Sequence, residues 1–191
     1  MSVACVQAGM GEAEAISSDL EHELIERAKH DPEAFGVLYQ RYLPVLSNYV
    51  FRRTGDVHTT EDLVADVFLI VMRTLPGYRY RGVPLRFWLL RIATNVVNRW
   101  ARRQRRRTAV PLNDDLCGET VSPTGDGIDG EHVMRALLSL PPRYQAVLSL
   151  HHLEGLSVPE TAAVIGCREG TVRSRLARAR DALRKALNER R

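Results

Sequence analysis

The sequence predicts an all-α protein: two small helical domains joined by a flexible acidic linker, the second of them a helix-turn-helix. Three observations carry that expectation. Apolar residues recur at intervals of three and four through most of residues 20–106 and again after residue 131, the spacing of amphipathic helices. Residues 108–130 break the pattern with Pro111, Pro123 and four glycines. Charge is segregated along the chain: six arginines fall in residues 99–107 and nine basic residues in 168–191, while Thr108–Met134 holds six acids and no lysine or arginine. The resulting division is a tail over 1–18, a helical domain over 19–107, the linker over 108–130 and a second domain over 131–191.

Composition narrows the function classes. A hydrophobic fraction of 45% in 191 residues is ordinary for a globular chain. The net charge of +4 is modest, but two basic blocks flanking an acidic one suggest two surfaces for a polyanion. Cys5, Cys117 and Cys167 are odd in number and widely spaced, which indicates neither a disulfide framework nor a zinc site and fits a reducing cytosol. The longest apolar run, VFLIVM at 67–72, is too short to span a bilayer, and no signal peptide is expected. A phosphate-binding glycine loop, a metal cluster and a nucleophile with its base are all missing from the sequence, so neither an enzyme nor a bound cofactor is expected.

In chain order, residues 1–17 show no periodicity. Leu24, Ile25 and Ala28 share one helical face, and Asp31-Pro32 marks a stop and a restart, proline being suited to a first turn. His22-Glu23 opens like a metalloprotease motif, but Glu26 occupies the second histidine position. Phe35 to Val50 continue the three-and-four spacing, and Gly55 marks a connection. Thr59 or Thr60 is expected to cap the next helix, which buries Val64, Val67, Phe68, Val71 and Leu75 and carries Asp62 and Asp66 on another side. Pro76-Gly77 ends it. The following GYRYRGVPLRFW alternates aromatic and basic residues in a loop bounded by glycine and proline, a composition that accepts unstacked bases and flanking phosphates. After Pro84 a long helix runs to about Arg106, with Trp88, Leu89, Ile92, Val96 and Trp100 packed and Arg91, Asn95, Arg99, Arg102 and Arg106 in a row on another side.

The C-terminal half begins with helices around Val133–Leu140 and Tyr144–Leu150. Ser157-Val158-Pro159-Glu160 forms a capping box for a short helix, Gly166 turns the chain, and GTVRSRLARAR opens a second one. There Val172, Leu176, Ala179 and Leu183 make an apolar stripe, with Ser174 and Arg178 opposite and Thr171, Arg173 and Arg175 flanking. A capped helix, a glycine turn and a basic amphipathic helix place the last helix in a DNA major groove.

At this point the sequence resembles the sigma factors of RNA polymerase, of the small extracytoplasmic-function group that retains only regions two and four. The resemblance covers nearly all of residues 20–187 and rests on EDLVADVF at 61–68, WLLRIATN at 88–95, LPPRYQAVLSLHHLEGLSVPETAAVIGC and GTVRSRLARAR. It implies that Arg168, Thr171, Arg173, Ser174, Arg175 and Arg178 read the minus-35 element as duplex. Tyr78, Arg79, Tyr80, Arg81, Arg86, Arg91, Asn95, Arg99 and Arg102 would open the minus-10 element and hold its unpaired strand, a flipped base included. Asp62, Leu63, Asp66 and Val67 would dock on the clamp helices of the largest subunit of core RNA polymerase. Promoter DNA and core polymerase are thus the implied partners, with an anti-sigma factor as a common regulator in the family. The implied setting is cytoplasmic, without membrane insertion.

Departures from the family pattern are local. Leu85 stands where phenylalanine is frequent, Arg99 where an acid is common, and Cys167 where a better capping oxygen is expected. The competing reading is a free-standing helix-turn-helix regulator, which predicts alternating strands and helices with a phosphoacceptor aspartate in the N-terminal half.

Overall fold

A computed structural model describes residues 18–108 and 128–188. The 1–17 tail, nearly all of the linker, Cys5 and Cys117 lie outside the described residues. Among those described the chain is helical, with no strand: α1 (Ser18–Ala28), α2 (Pro32–Thr54), α3 (Val57–Thr74), α4 (Leu85–Thr108), α5 (Ile128–Ser139), α6 (Pro142–Leu148), α7 (Val158–Ile165) and α8 (Glu169–Asn188).

The helix ends follow local chemistry. Asp31 caps α2, its carboxylate accepting from the Glu33 amide at 2.9 Å with Pro32 in the first turn. Gly55 closes α2 at φ +72°, a left-handed conformation, and a Cβ there would sit 2.5 Å from Cδ1 of Leu138 on α5. The start of α3 differs from the sequence expectation. Asp56 is the cap, accepting from the Thr59 amide at 2.6 Å, and the Thr60 hydroxyl donates back to the Asp56 carbonyl from inside the helix. Any of the three residues offers a suitable oxygen. Gly55 reverses the chain immediately before Asp56, so the helix begins as early as it sterically can.

Two cores form. In the first, α1–α4 bury Ile25, Leu38, Tyr49, Val67, Leu85 and Leu89 among others. In the second, α8 lays Val172, Leu176 and Ala179 against Leu140, Val147, Leu148 and Ala162. The first core does not stop at the N-terminal half, because Leu150, Leu156 and Val164 join it. The halves therefore pack against each other in addition to being joined by the linker.

That contact also has a buried polar part. Arg53 is only 2% exposed and spans three helices. Its guanidinium donates to Tyr49 Oη at 3.0 Å on α2, to Asn98 Oδ1 at 2.9 Å on α4, and to Gln145 Oε1 and the Pro142 carbonyl at 3.3 Å on α6. Beyond α6 the chain continues as one π-helical turn (Ser149–Leu153), ended by Glu154 and by Gly155 at φ +70°. This delivers Glu154 to Arg52 at 3.3 Å and to Arg86 at 3.7 Å. Burial pushes the Glu154 carboxyl above its ordinary range, against the pull of the two arginines.

Candidate nucleic-acid interface

The helix-turn-helix is built as its sequence requires. Ser157 accepts from the Glu160 amide at 3.4 Å while the Glu160 carboxylate accepts from the Ser157 amide at 2.7 Å, a reciprocal capping box at the head of α7. Gly166 turns the chain at φ +75°, and α8 starts at Glu169. Arg168, not Cys167, therefore holds the position before that helix; its carbonyl accepts from the Thr171 and Val172 amides.

With its apolar stripe packed, α8 leaves Arg168, Arg173, Ser174 and Arg178 exposed and Thr171 and Arg175 half-buried at the edges. Arg173 pairs with Glu169 at 3.1 Å, one turn back. Both side chains are solvated, so the pair is worth about 0–1 kcal/mol and a phosphate can displace it. Of the predicted duplex-reading residues, Thr171, Arg173, Ser174, Arg175 and Arg178 thus lie on the side of α8 away from its apolar stripe, and Arg168 sits just before the helix.

The second basic surface surrounds the connection between α3 and α4. A 3₁₀ turn (Leu75–Gly77) leads into a loop in which Gly82 takes φ +71°. Both tyrosines already have ring partners: Tyr78 lies against Trp88 with centroids 4.7 Å apart, and Tyr80 stacks on His22 of α1 at 5.0 Å and 17°. Burial first, and the Glu21 carboxylate second, push the Tyr78 hydroxyl pKa up. Arg79 and Arg81 project from the loop. Arg91, Asn95, Arg99 and Arg102 continue along α4, all exposed as the spacing predicts. An open groove of about 830 Å³ runs beside the loop, with Tyr78, Arg81, Trp88 and Arg91 on one wall and Pro159 and Glu160 of α7 on the other.

Arg86 departs from the sequence expectation. It faces the other half of the chain, donating to the Glu154 carbonyl at 3.0 Å and pairing with the Glu154 carboxylate, so its head is committed to that contact. The reason is helical geometry: in the first turn of α4, position 86 points toward the π-helical turn and not along the Arg91–Asn95 row. A second correction concerns α3. Leu63 and Val67 are 7% and 0% exposed and belong to the core, leaving Asp62 and Asp66 as the accessible members of the proposed docking set. Leu69 and Met72, 46% and 53% exposed, are large apolar residues that α3 also leaves outside the core, and they had not been singled out from the sequence. Their signal was present, because a helix with six buried residues should not need further apolar ones outside. A smaller groove of about 330 Å³ between α3 and α4 brings Asp66 and Leu69 together with Arg99, Trp100 and Arg103.

Glu21 and His22 on α1 were also missed as contributors. The Glu21 carboxylate accepts from the Tyr42 hydroxyl and from the Leu85 amide at 3.3 Å, at the point where the loop enters α4. No local motif encodes a contact across 64 residues.

An exposed basic face on α8 in one half and an aromatic-basic loop with the exposed row of α4 in the other leave two separate candidate surfaces for nucleic acid. Comparison with known proteins makes the class specific. Residues 38–107 match the family described as Sigma-70 region 2, and residues 131–183 match Sigma-70, region 4. The chain belongs to the extracytoplasmic-function (ECF) RNA polymerase sigma factors.

It is 34% identical over 158 residues to the ECF sigma factor BldN of Streptomyces coelicolor, covering 80% of this chain and 60% of that protein. With the ECF sigma-E factor of Escherichia coli (strain K12) it shares 33% identity over 176 residues, covering 84% of this chain and 90% of that one. The fold resembles that of the sigma factor RpoE from Bartonella quintana, solved in complex with the anti-sigma factor NepR, with a TM-score of 0.64, 24% identity and coverage of 82% and 98%. The region 2 match removes the free-standing helix-turn-helix regulator as a reading. No helix among the described residues is long and apolar enough to cross a membrane.

Proposed function

We propose that the protein is an alternative sigma factor that binds core RNA polymerase and directs promoter-specific initiation, the chemistry of RNA synthesis residing in the polymerase. In this reading residues 131–191 carry minus-35 recognition through the exposed face of α8. Residues 19–107 carry polymerase docking through α3 and minus-10 opening through the loop and α4. Arginine on α8 pairs with guanine O6 and N7 or with phosphate, whereas Tyr78, Tyr80 and the Arg91–Arg102 row hold an unpaired strand. Arg86 joins that row only if its contact with Glu154 is released.

The observation that carries the reading is the pairing of two unlike surfaces on one chain. A duplex reader alone suits a dimeric regulator on a palindrome, while a duplex reader plus a strand platform suits an asymmetric promoter that must be opened. Family membership adds an anti-sigma factor as a partner to test for.

The docking assignment is tested with Asp62→Arg combined with Asp66→Arg. Both residues are exposed, so the fold should be retained. Reversing two charges at an interface is expected to weaken core polymerase binding at least about tenfold. Duplex binding by α8 should be unchanged. Undiminished polymerase binding would move the docking surface elsewhere.

A further inference from the structure

The loop over residues 78–84 is the least self-supported part of the proposed strand site. Among the described residues, positions 79–83 contribute no backbone–backbone hydrogen bond; the bonds at its margins are Tyr78 amide to Leu75 carbonyl and Phe87 amide to Pro84 carbonyl. Its exit is equally bare. Pro84 precedes α4 and has no side-chain acceptor, and no acid occupies the first turn of that helix. The free amides and positive pole at such a start call for an acceptor, and a carboxylate suits them best.

α1 supplies one. The Glu21 carboxylate takes the Leu85 amide and is itself held by the Tyr42 hydroxyl. Burial, and then the same carboxylate, raise the pKa of Tyr42, so its proton stays available to Glu21 throughout the physiological range. One residue on, His22 covers one face of Tyr80 with rings 17° from parallel. Two adjacent α1 side chains thus hold the loop, one at its exit and one at its central ring. α1 itself is anchored independently, through Ile25 and Ala28 in the core. Glu21 and His22 both precede the stretch that matches region 2, residues 38–107.

We propose that Glu21 is a positioning residue for capture of the unpaired DNA strand: with His22 it sets the loop in the shape that receives a flipped base, although neither residue docks the polymerase or reads the duplex. Tyr80 is half-buried against the first core, and the loop must already be placed for a base to stack on the ring surface that remains without an ordering cost. The proposal rests on the strand-binding assignment made above.

The test uses the full chain with Glu21→Ala, the conservative Glu21→Gln, and His22→Ala, which removes an exposed ring without touching the core. Amide exchange at Leu85, measured without DNA, is the first readout. Glu21→Ala is expected to speed it roughly tenfold and Glu21→Gln, whose amide oxygen still accepts, by under about threefold. The second readout is binding of a fluorescent single-stranded minus-10 oligonucleotide by the protein–core polymerase complex. Affinity should fall roughly tenfold for Glu21→Ala, recover in Glu21→Gln and fall about threefold for His22→Ala. Core affinity and minus-35 duplex binding should not move. Unchanged Leu85 exchange, or faster exchange with unaltered strand binding, overturns the proposal. Equal losses in core affinity and strand binding also overturn it, because they make the role one of general folding. A failed sigma-factor reading looks different: the wild-type complex then binds no promoter strand at all, while the exchange result still stands or falls by itself.

Discussion

Replacing Arg53 with alanine tests whether the two halves are held together as described. The guanidinium is buried at 2% exposure and, among the described residues, pairs with no carboxylate within ion-pair distance. Its charge is instead spread over neutral acceptors on α2, α4 and α6. The bonds to Tyr49 and Asn98 are of good length, and Tyr49 is further supported by Thr94 Oγ1 at 2.8 Å. Hydrogen bonds to a charged partner contribute about 1.5–3 kcal/mol each net of desolvation, so losing these two is expected to cost roughly 3–6 kcal/mol. The two at 3.3 Å are long and add little. Equilibrium urea unfolding followed by circular dichroism measures the loss, and the amide resonance of Gln145 should shift because its side chain loses its partner on α2. A loss below about 0.5 kcal/mol, the range of ordinary surface substitutions, would refute the bridging role.

Other predictions concern single charges. Glu154 has a folded-state pKa raised by burial above its 4.5 reference, so the folded protein binds that proton more tightly than the unfolded chain. Stability from this group is therefore gained on acidification toward that reference and lost as pH rises through the raised value. The difference in unfolding free energy between wild type and Glu154→Gln should grow in favour of wild type as pH falls from neutral, and a pH-independent difference would contradict the assignment. Arg178→Ala removes an exposed residue, so stability should change by less than about 0.5 kcal/mol. Its minus-35 duplex affinity should fall by about 1–3 kcal/mol. Equal affinity at several salt concentrations would take Arg178 off the DNA surface.

Helix content and the helix-turn-helix were legible because their causes are local. Val172, Leu176 and Ala179 sit where a 3.6-residue period puts them, and Ser157, Glu160 and Gly166 carry capping and turning chemistry in their own side chains or lack of one. The exposed row from Arg91 to Arg102 followed from the same spacing. What escaped the sequence is what depends on a second element. Asp56 competes with Thr59 and Thr60 on equal local terms, and the sharp turn at Gly55 decides between them. Leu63 satisfies the motif of a docking helix, but packing of α3 on α2 and α4 turns it inward; Val67, already on the buried face by its spacing, is in the core as that spacing predicts. Arg86 reads as one more basic residue near the loop until the π-helical turn presents Glu154 to it. Glu21 and His22 sit in an acidic helix with no motif, and their meaning appears only when α1 lies across the loop. Arg53 was invisible for the same reason, since a basic residue in the last turn of a helix is ordinarily a solvated one.

Run-off transcription tests the central claim most directly. Purified core RNA polymerase from a matched host is incubated with fragmented genomic DNA, with and without the protein, and transcript 5′ ends are mapped. The account predicts new ends that appear only with the protein and share a common minus-35 and minus-10 sequence upstream. Transcripts that are identical in both reactions, from polymerase shown to be active with another sigma factor, would contradict it.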